Sequence, residues 1–281
     1  MRAWLINNGF YNPPSFVDAT RRFENAFKAN NVEYRIMTNT DFINGVFNVP
    51  DFVLFRDKDV ALMERLEQKT RVFNSSEAVR LSDDKALTFV HLENIVPMPK
   101  TIVCPFTFEN IGYTDTSFLG EVADRLNFPM VVKARFGSFG EQVFLVNDTD
   151  SLVKCVKEST APLLFQEYIG ESRGTDYRLF VVGNEVAAAA RRQSENGDFR
   201  SNSYLGGKMQ AVTPSDEMVG IALLACKNLG LDFGGVDILT GRDSPLLCEV
   251  NSNALFNSLE DATGVKIADA IVRHMILSSE K

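Results

Sequence analysis

Two short apolar strands carrying acidic and amide side chains constrain this chain more than any other segment. The stretch FGGVDILTGRDSPLLCEVNSNALFNSL, Phe233–Leu259, reads as strands Gly234–Leu239 and Pro245–Val250 joined by a polar turn, Thr240–Ser244. Val236, Ile238, Leu246 and Leu247 suit a core. Asp237 does not, because a lone carboxylate inside an apolar strand is strongly unfavourable unless something pairs with it. Glu249 and Asn251 are two apart and therefore share one face of an extended strand. Two carboxylates and an amide oxygen on neighbouring strands suit a hard divalent cation such as Mg²⁺. The same spacing also suits a buried polar network or two solvated strand ends.

The 281 residues, 45% of them hydrophobic, are enough for one large or two to three small compact units. A net charge of −8 and a pI near 5.0 argue against nucleic acid as a main partner. They leave room for one polyanionic ligand held by a few local Lys or Arg residues. Cys104, Cys155, Cys226 and Cys248 form no CxxC pair and read as reduced thiols of a cytoplasmic protein. His91 and His274 show no metal-ligand spacing, so no zinc site is expected. No apolar run approaches the ~20 residues of a membrane span. The start, MRAWLINNGF, reads as a first strand rather than a signal peptide.

Taken in order, Ala3–Ile6, Val32–Met37, Phe52–Phe55 and Val72–Asn74 are strand candidates. Helical periodicity runs over Ser15–Asn30, and a helix is expected over Lys58–Lys69. This alternation predicts a small parallel sheet flanked by helices, and no GxGxxG supports a dinucleotide role. At Asn74–Lys85 the composition shifts, with Ser75 and Ser82 as potential helix caps, and a domain boundary is placed there. A helix over Asp83–Asn94, a strand at Lys100–Val103 and a helix over Ser117–Leu126 follow. The strand Met130–Ala134 is apolar except for Lys133, which is either a cation aimed at a ligand or an edge residue extending its stem to solvent. Arg135–Gly140 then forms a glycine-bearing turn, able to lay backbone N–H groups over phosphate oxygens, although many plain hairpins carry two glycines.

After a helix over Asp150–Glu158, Leu163–Ile169 turns polar at Gln166, Glu167 and Tyr168, as an interdomain connector would. Asp176–Val182 and Glu185–Arg191 predict a hairpin across Gly183-Asn184. Arg178, Arg191, Arg192 and Arg200 cluster in or just after it, the equipment for holding carboxylates or phosphates, unless they are ordinary surface arginines. Gln193–Lys208, which includes Asn202, is expected to be a long polar loop, either functional or mobile. An amphipathic helix is expected over Pro214–Leu229, a turn at Asp261–Gly264 and a final helix over Val265–Leu277.

Two lysines, a glycine turn, an arginine-bearing hairpin and a carboxylate pair with an asparagine are the equipment for a nucleoside triphosphate with Mg²⁺. No Walker-type or kinase motif is present. The chain resembles the ATP-grasp superfamily, and within it the RimK-type and LysX-like carboxylate–amine ligases. The resemblance covers about residues 83–278. It rests on DKALTFVHLENIVPMPKT, FPMVVKARFGSFG, FQEYIGESRGTDYRLFVVGNEVAAAARR, DFRSNSYLGGK, GGVDIL and CEVNSNALFNSLEDATGVKIADAI. It implies an α/β (α+β) ATP-grasp fold: a Rossmann-like α/β domain over residues 1–82, a central subdomain with the glycine loop over 83–165, and a C-terminal subdomain with the metal site over 166–281.

Residue by residue, the resemblance implies that Lys85, Lys133, Ser138, Phe139 and Gly140 meet the ATP phosphates. Gln166, Glu167, Tyr168 and Ile169 hold adenine and ribose, and Asp176 is a further nucleotide-side acid. Arg200, Lys133 and Asn202 are the catalytic candidates, and Asp237, Glu249 and Asn251 the Mg²⁺ ligands, for two ions or for Mn²⁺. The implied activity is ATP-dependent amide formation through an acyl phosphate, on an amino acid, peptide or carrier-protein carboxylate. The alternative is an ATP-binding regulator of the same fold without turnover. The same resemblance is compatible with a homodimer or tetramer, since relatives of this type are often one or the other, but the sequence does not set the oligomeric state. The chain departs from RimK in having GSFGEQV, without a further glycine, and Asn253-Ala254-Leu255-Phe256 after the metal motif. Both departures fall on the acceptor side and bear on the substrate rather than on the ATP chemistry.

Overall fold

Alternating apolar strands and amphipathic helices build the first third of the chain into a parallel sheet. The computed structural model describes residues 1–43, 45, 48–137, 140, 142–201 and 207–280. Strands β1 (Arg2–Asn7), β2 (Glu33–Thr38), β3 (Phe52–Arg56) and β4 (Arg71–Phe73) run parallel in the order β2-β1-β3-β4. Helices α1 (Pro14–Ala29) and α2 (Val60–Glu67) make the crossovers. All five residues of β3 are buried, as expected of a strand covered on both faces. Val53 and Phe55 join Trp4, Ile6 and Met63 in one core, whereas Phe52 and Leu54 join α1 in another.

The predicted boundary segment is itself helical. α3 (Ser76–Asp83) is capped by Ser75, whose Oγ accepts from Ala78 N at 3.2 Å. Ser82 caps nothing, because it lies inside α3 and its Oγ donates to Ala78 O. Asp84 takes that role for α4 (Lys85–Leu92). Val79 faces the first sheet's core and Ala78 and Leu81 face that of the C-terminal sheet, so α3 joins two cores.

The second sheet is antiparallel, in the order β5-β8-β6-β7: β5 (Thr101–Val103), β6 (Met130–Ala134), β7 (Val143–Val146) and β8 (Leu163–Glu167). Helices α5 (Leu119–Leu126) and α6 (Thr149–Glu158) cover it. The third sheet, also antiparallel, comprises β9 (Thr175–Val182), β10 (Glu185–Gln193), β11 (Lys208–Ala211), β12 (Phe233–Thr240) and β13 (Pro245–Asn251), in the order β11-β10-β9-β12-β13. Helix α7 (Asp216–Asn228) packs on one face of it. Part of the other face meets α1, α8 (Asn257–Thr263) and α9 (Ile267–Ser279). The expected turn at 261–264 is therefore mostly the end of α8, which stops at Gly264 with φ 72°. Strand β11 lies at the end of the expected polar loop.

Buried Asn74 ties the first sheet to the third. Its Nδ2 donates to Phe233 O (2.9 Å) and Ser252 O (3.1 Å), and its Oδ1 accepts from Asp232 N (2.7 Å) and Phe233 N (3.1 Å). Replacing it by Ala strands buried backbone groups, so Asn74→Ala is expected to lower urea-unfolding stability by roughly 2–4 kcal/mol. A loss under half a kcal/mol would mean that water replaces the amide.

Candidate functional site

The second and third sheets face each other across a cleft, and most of the polar residues that interrupt apolar strands line it. Lys85, Lys133, Gly140, Gln166, Glu167, Tyr168, Ile169, Asp176, Arg200, Asp237 and Glu249 all contribute to its wall. Asn251 lines an adjoining cavity instead, which shares Lys85, Gly137, Arg192 and Glu249 with the cleft. Ser138, Phe139 and Asn202 lie outside the described residues.

Lys133 projects inward from β6 and is buried. Its Nζ donates to Gln166 Oε1 at 2.7 Å, and Gln166 is oriented in turn by donating to Thr101 Oγ1 at 3.0 Å. Among the described residues a neutral amide, and no carboxylate, is its hydrogen-bond partner. Lys85, the first residue of α4, donates to Gly137 O at 2.8 Å and stands 3.2 Å from Glu249 Oε1. It thereby links the glycine turn to β13. Glu167 Oε1 accepts from Lys100 N at 2.6 Å. The Tyr168 hydroxyl is buried without a hydrogen-bond partner among the described residues, and its ring meets that of Phe199. Arg200 donates to Gly140 O across the cleft and is held by Asp198 at 2.8 and 3.0 Å. The resulting bond to Arg200 holds the Asp198 carboxyl below its ordinary range.

On the third sheet, charges pair across strands. Arg178 lies opposite Asp237, and Arg192 opposite Asp176. Asp237 accepts from Arg178 Nε and, at 2.7 Å, from Arg178 Nη2, and it lies 2.9 Å from Arg192 Nη2. Asp176 takes both Nε and Nη2 of Arg192. Burial opposes ionisation of Asp237, but Arg178 and Arg192 outweigh it and hold the carboxyl below its usual range. Burial likewise opposes charge on Arg192, and Asp176 and Asp237 overcome it, keeping the guanidinium protonated. Gly235 makes room for this network, since a Cβ there would stand 2.6 Å from the Ala254 Cβ and 3.3 Å from the Arg178 side chain.

The arginines of the hairpin were legible as anion holders, but two of their anions prove to be the chain's own aspartates. The pairing depends on two one-residue slips of register. One falls between Val186 and Ala188 and sets Asp176 opposite Arg192 rather than Arg191. The other falls at Cys248 and sets Asp237 opposite Glu249.

The donor set offered by Asp237, Glu249 and Asn251 is all oxygen, which is the chemistry of Mg²⁺. Glu249 and Asn251 sit two apart on β13, with Glu249 opposite Asp237 and Asn251 opposite Gly235. The present partners of the two acids are cationic side chains: Lys85 for Glu249, and Arg178 and Arg192 for Asp237. Among the described residues no group of three or more His, Cys, Asp or Glu side chains is arranged to hold a metal. Glu249 and Asn251 thus offer oxygen donors from one strand, whereas the carboxylate of Asp237 is taken up by Arg178 and Arg192.

Cys248, at the slip in β13, has its sulfur 3.8 Å from Lys133 Nζ. Burial pushes its thiol up to about 11, with Lys133 acting in the opposite direction. At pH 8 it should therefore alkylate with iodoacetamide about tenfold or more slowly than glutathione. Peptide mass spectrometry of a labelling time course checks this; labelling as fast as glutathione would contradict it.

No helix among the described residues is long and apolar enough to cross a membrane. Residues 90–275 match the family model for a RimK-like ATP-grasp domain. An uncharacterized protein of Mycoplasma pneumoniae is 32% identical over 261 residues, 89% of this chain and 90% of that protein. A probable alpha-L-glutamate ligase of Legionella pneumophila is 39% identical over 150 residues, 52% of this chain and 50% of that protein. The match thus spans about half the length of that ligase. Among solved structures, a RimK-domain ATP-grasp protein of Sphaerobacter thermophilus superposes with a TM-score of 0.72 at 22% identity, covering 98% of this chain and 100% of that one. At that identity the likeness shows the fold, the ATP-grasp fold.

Proposed function

Because the chain belongs to the RimK-like ATP-grasp family, we propose that it is an ATP-dependent carboxylate–amine ligase acting on an amino acid, peptide or carrier-protein carboxylate. The observation that carries this is the meeting of Lys85, Lys133, Arg200, Asp237 and Glu249 on one cleft between two sheets. Domains of 1–82, 83–165 and 166–281 belong to the same proposal, as do a cytoplasmic setting and a homodimer or tetramer.

A carboxylate is a poor electrophile. In the first step its oxygen attacks the γ-phosphorus of ATP, the bond to the β-phosphate oxygen breaks, and ADP leaves. In the second, an amine attacks the acyl phosphate, phosphate departs, and the nitrogen loses a proton to give the amide. Gln166, Glu167, Tyr168 and Ile169 form the wall for adenine and ribose, and Asp176 holds Arg192 in place behind it. Lys133, fixed by Gln166, and Lys85, at the glycine turn, stand over the phosphates with Gly140, and the family resemblance assigns Ser138 and Phe139 to the same phosphates. Arg200, with Asn202, offsets negative charge on the transferred group. Glu249, Asn251 and Asp237 would hold Mg²⁺, as two ions or with Mn²⁺ in its place. When bound, the metal neutralises phosphate charge during transfer. Closure of the glycine turn through Arg200 and Lys85 excludes water, so that the acyl phosphate meets an amine rather than hydrolysing.

The test is release of ADP and phosphate from ATP and Mg²⁺ with pools of amino acids and peptides, followed by mass spectrometry of the products. Acceptor-dependent turnover with an amide product is expected. ATP binding with no acceptor-dependent turnover across broad pools would replace the ligase with an ATP-binding regulator.

A further inference from the structure

Beyond the wall formed by Lys85, Gly137 and Glu249 lies the second cavity, of about 460 Å³. It opens at the carboxyl ends of the parallel strands β1 and β3, where α/β sheets characteristically bind ligands. Arg56, the last residue of β3, lines it and is only 5% exposed. Its guanidinium carbon lies 5.7, 5.2 and 5.9 Å from the ring centroids of Phe16, Phe23 and Phe256. Among the described residues no carboxylate pairs with it, and Nη1 has no hydrogen-bond partner.

The acids that line this cavity are otherwise engaged. Asp57 accepts from the side chains of Asn8 and Asn39, Asp83 accepts from Lys58, and Glu249 stands 3.2 Å from Lys85 Nζ. Burial pushes the Arg56 guanidinium down to about 10, which still leaves it charged at neutral pH. A buried cation without an anion is strongly unfavourable, and aromatic faces compensate it only in part. The three rings offer the guanidinium π-faces but no oxygen acceptor, so its buried Nη1 is left without a hydrogen bond among the described residues. A guanidinium fork matches a carboxylate bidentately.

We propose that Arg56 anchors a substrate carboxylate that stays unreacted, so that this cavity takes an amino acid or peptide presenting an acid group besides those that react. This rests on the ligase reading of the adjoining cleft. The phosphoryl-transfer end is the shared wall with Lys85 and Glu249. The carboxylate to be activated belongs there, and the group at Arg56, on the first sheet, is a different one. That group is either the α-carboxylate of an amine acceptor or a side-chain carboxylate.

The probes are L-glutamate, its α-amide and its γ-amide, titrated calorimetrically into the full chain with AMPPNP and Mg²⁺ present. The wild type should bind L-glutamate about tenfold or more tightly than one of the two amides. A weak α-amide assigns Arg56 to the α-carboxylate, and a weak γ-amide to the side chain. Arg56→Met should bind all three alike and melt no lower than the wild type, because it removes an uncompensated buried cation. Arg56→Lys, which keeps charge but loses the fork, should show intermediate selectivity, and it decides the matter if the Met variant does not fold. No preference for L-glutamate over either amide in the wild type overturns the proposal, as does wild-type selectivity retained in Arg56→Met or, where that variant does not fold, in Arg56→Lys. AMPPNP titrated alone reports on the nucleotide cleft separately, so the two ideas fail independently.

Discussion

Glu249→Gln is expected to lower acceptor-dependent ADP release by about 10³-fold while weakening ATP binding by less than about tenfold. The amide keeps the size of the side chain and removes its charge. Glu249 lies at the wall shared by the nucleotide cleft and the cavity beyond it, opposite Asp237 and 3.2 Å from Lys85 Nζ. In the proposed function ATP binding draws also on Lys133, Lys85 and the Gln166–Ile169 wall, which the substitution leaves in place. Phosphoryl transfer, in contrast, needs a cation held where charge develops, and Glu249 is the half-buried carboxylate of the proposed set not already paired with arginine. Steady-state ADP release and calorimetric ATP titration separate the two effects. Turnover within tenfold of the wild type would remove Glu249 from the metal site.

Arg192→Met is expected to destabilise the fold by about 3–5 kcal/mol in urea unfolding. Arg192 is 3% exposed and holds both Asp176 and Asp237, which are themselves 7% and 4% exposed. Removing the guanidinium leaves Asp176 without its counter-ion and Asp237 with Arg178 alone. The same network makes a pH prediction. The folded-state pKa of Asp237 lies below its ordinary 3.8, so its ion pairs contribute fully above about pH 3.8. Their contribution is lost as pH falls through the depressed folded value. Asp237→Asn should flatten that acid limb of the stability curve, and an unchanged limb would show that other carboxylates govern acid unfolding. A loss below 1 kcal/mol for Arg192→Met would mean that water reaches the aspartates and solvates them.

The longer periodic elements were legible within a few residues. The helix expected at 15–30 is Pro14–Ala29, and that expected at 214–229 is Asp216–Asn228. Three elements were not, each for a physical reason. Helix α3 has no broad apolar stripe, because it buries small patches against two different cores. Helix α8 buries a single side chain, Leu259, too little to show a period. Strand β11 has no buried residue and exists through its pairing with β10. Of the candidate site, the inward Lys133, the polar end of β8 and the acids of β12 and β13 were visible as polar residues in apolar strands. Asn251 was visible too, but it faces the neighbouring cavity rather than the cleft.

Residue chemistry and apolar period thus determined which side chains are forced inward with a charge or amide: Lys133, Asp237 and Glu249 among them. Which of them meet was decided by tertiary structure. The slip between Val186 and Ala188 gives Asp176 to Arg192 instead of Arg191, and the slip at Cys248 gives Glu249 to Asp237. Because side chains alternate with period two, a shift of one residue turns a whole strand over, and no local residue pattern announces it. The isolation of Arg56 is likewise invisible in FVLFR. It comes from three phenylalanines, drawn from α1 and from the segment before α8, that surround the guanidinium of a residue lining the cavity.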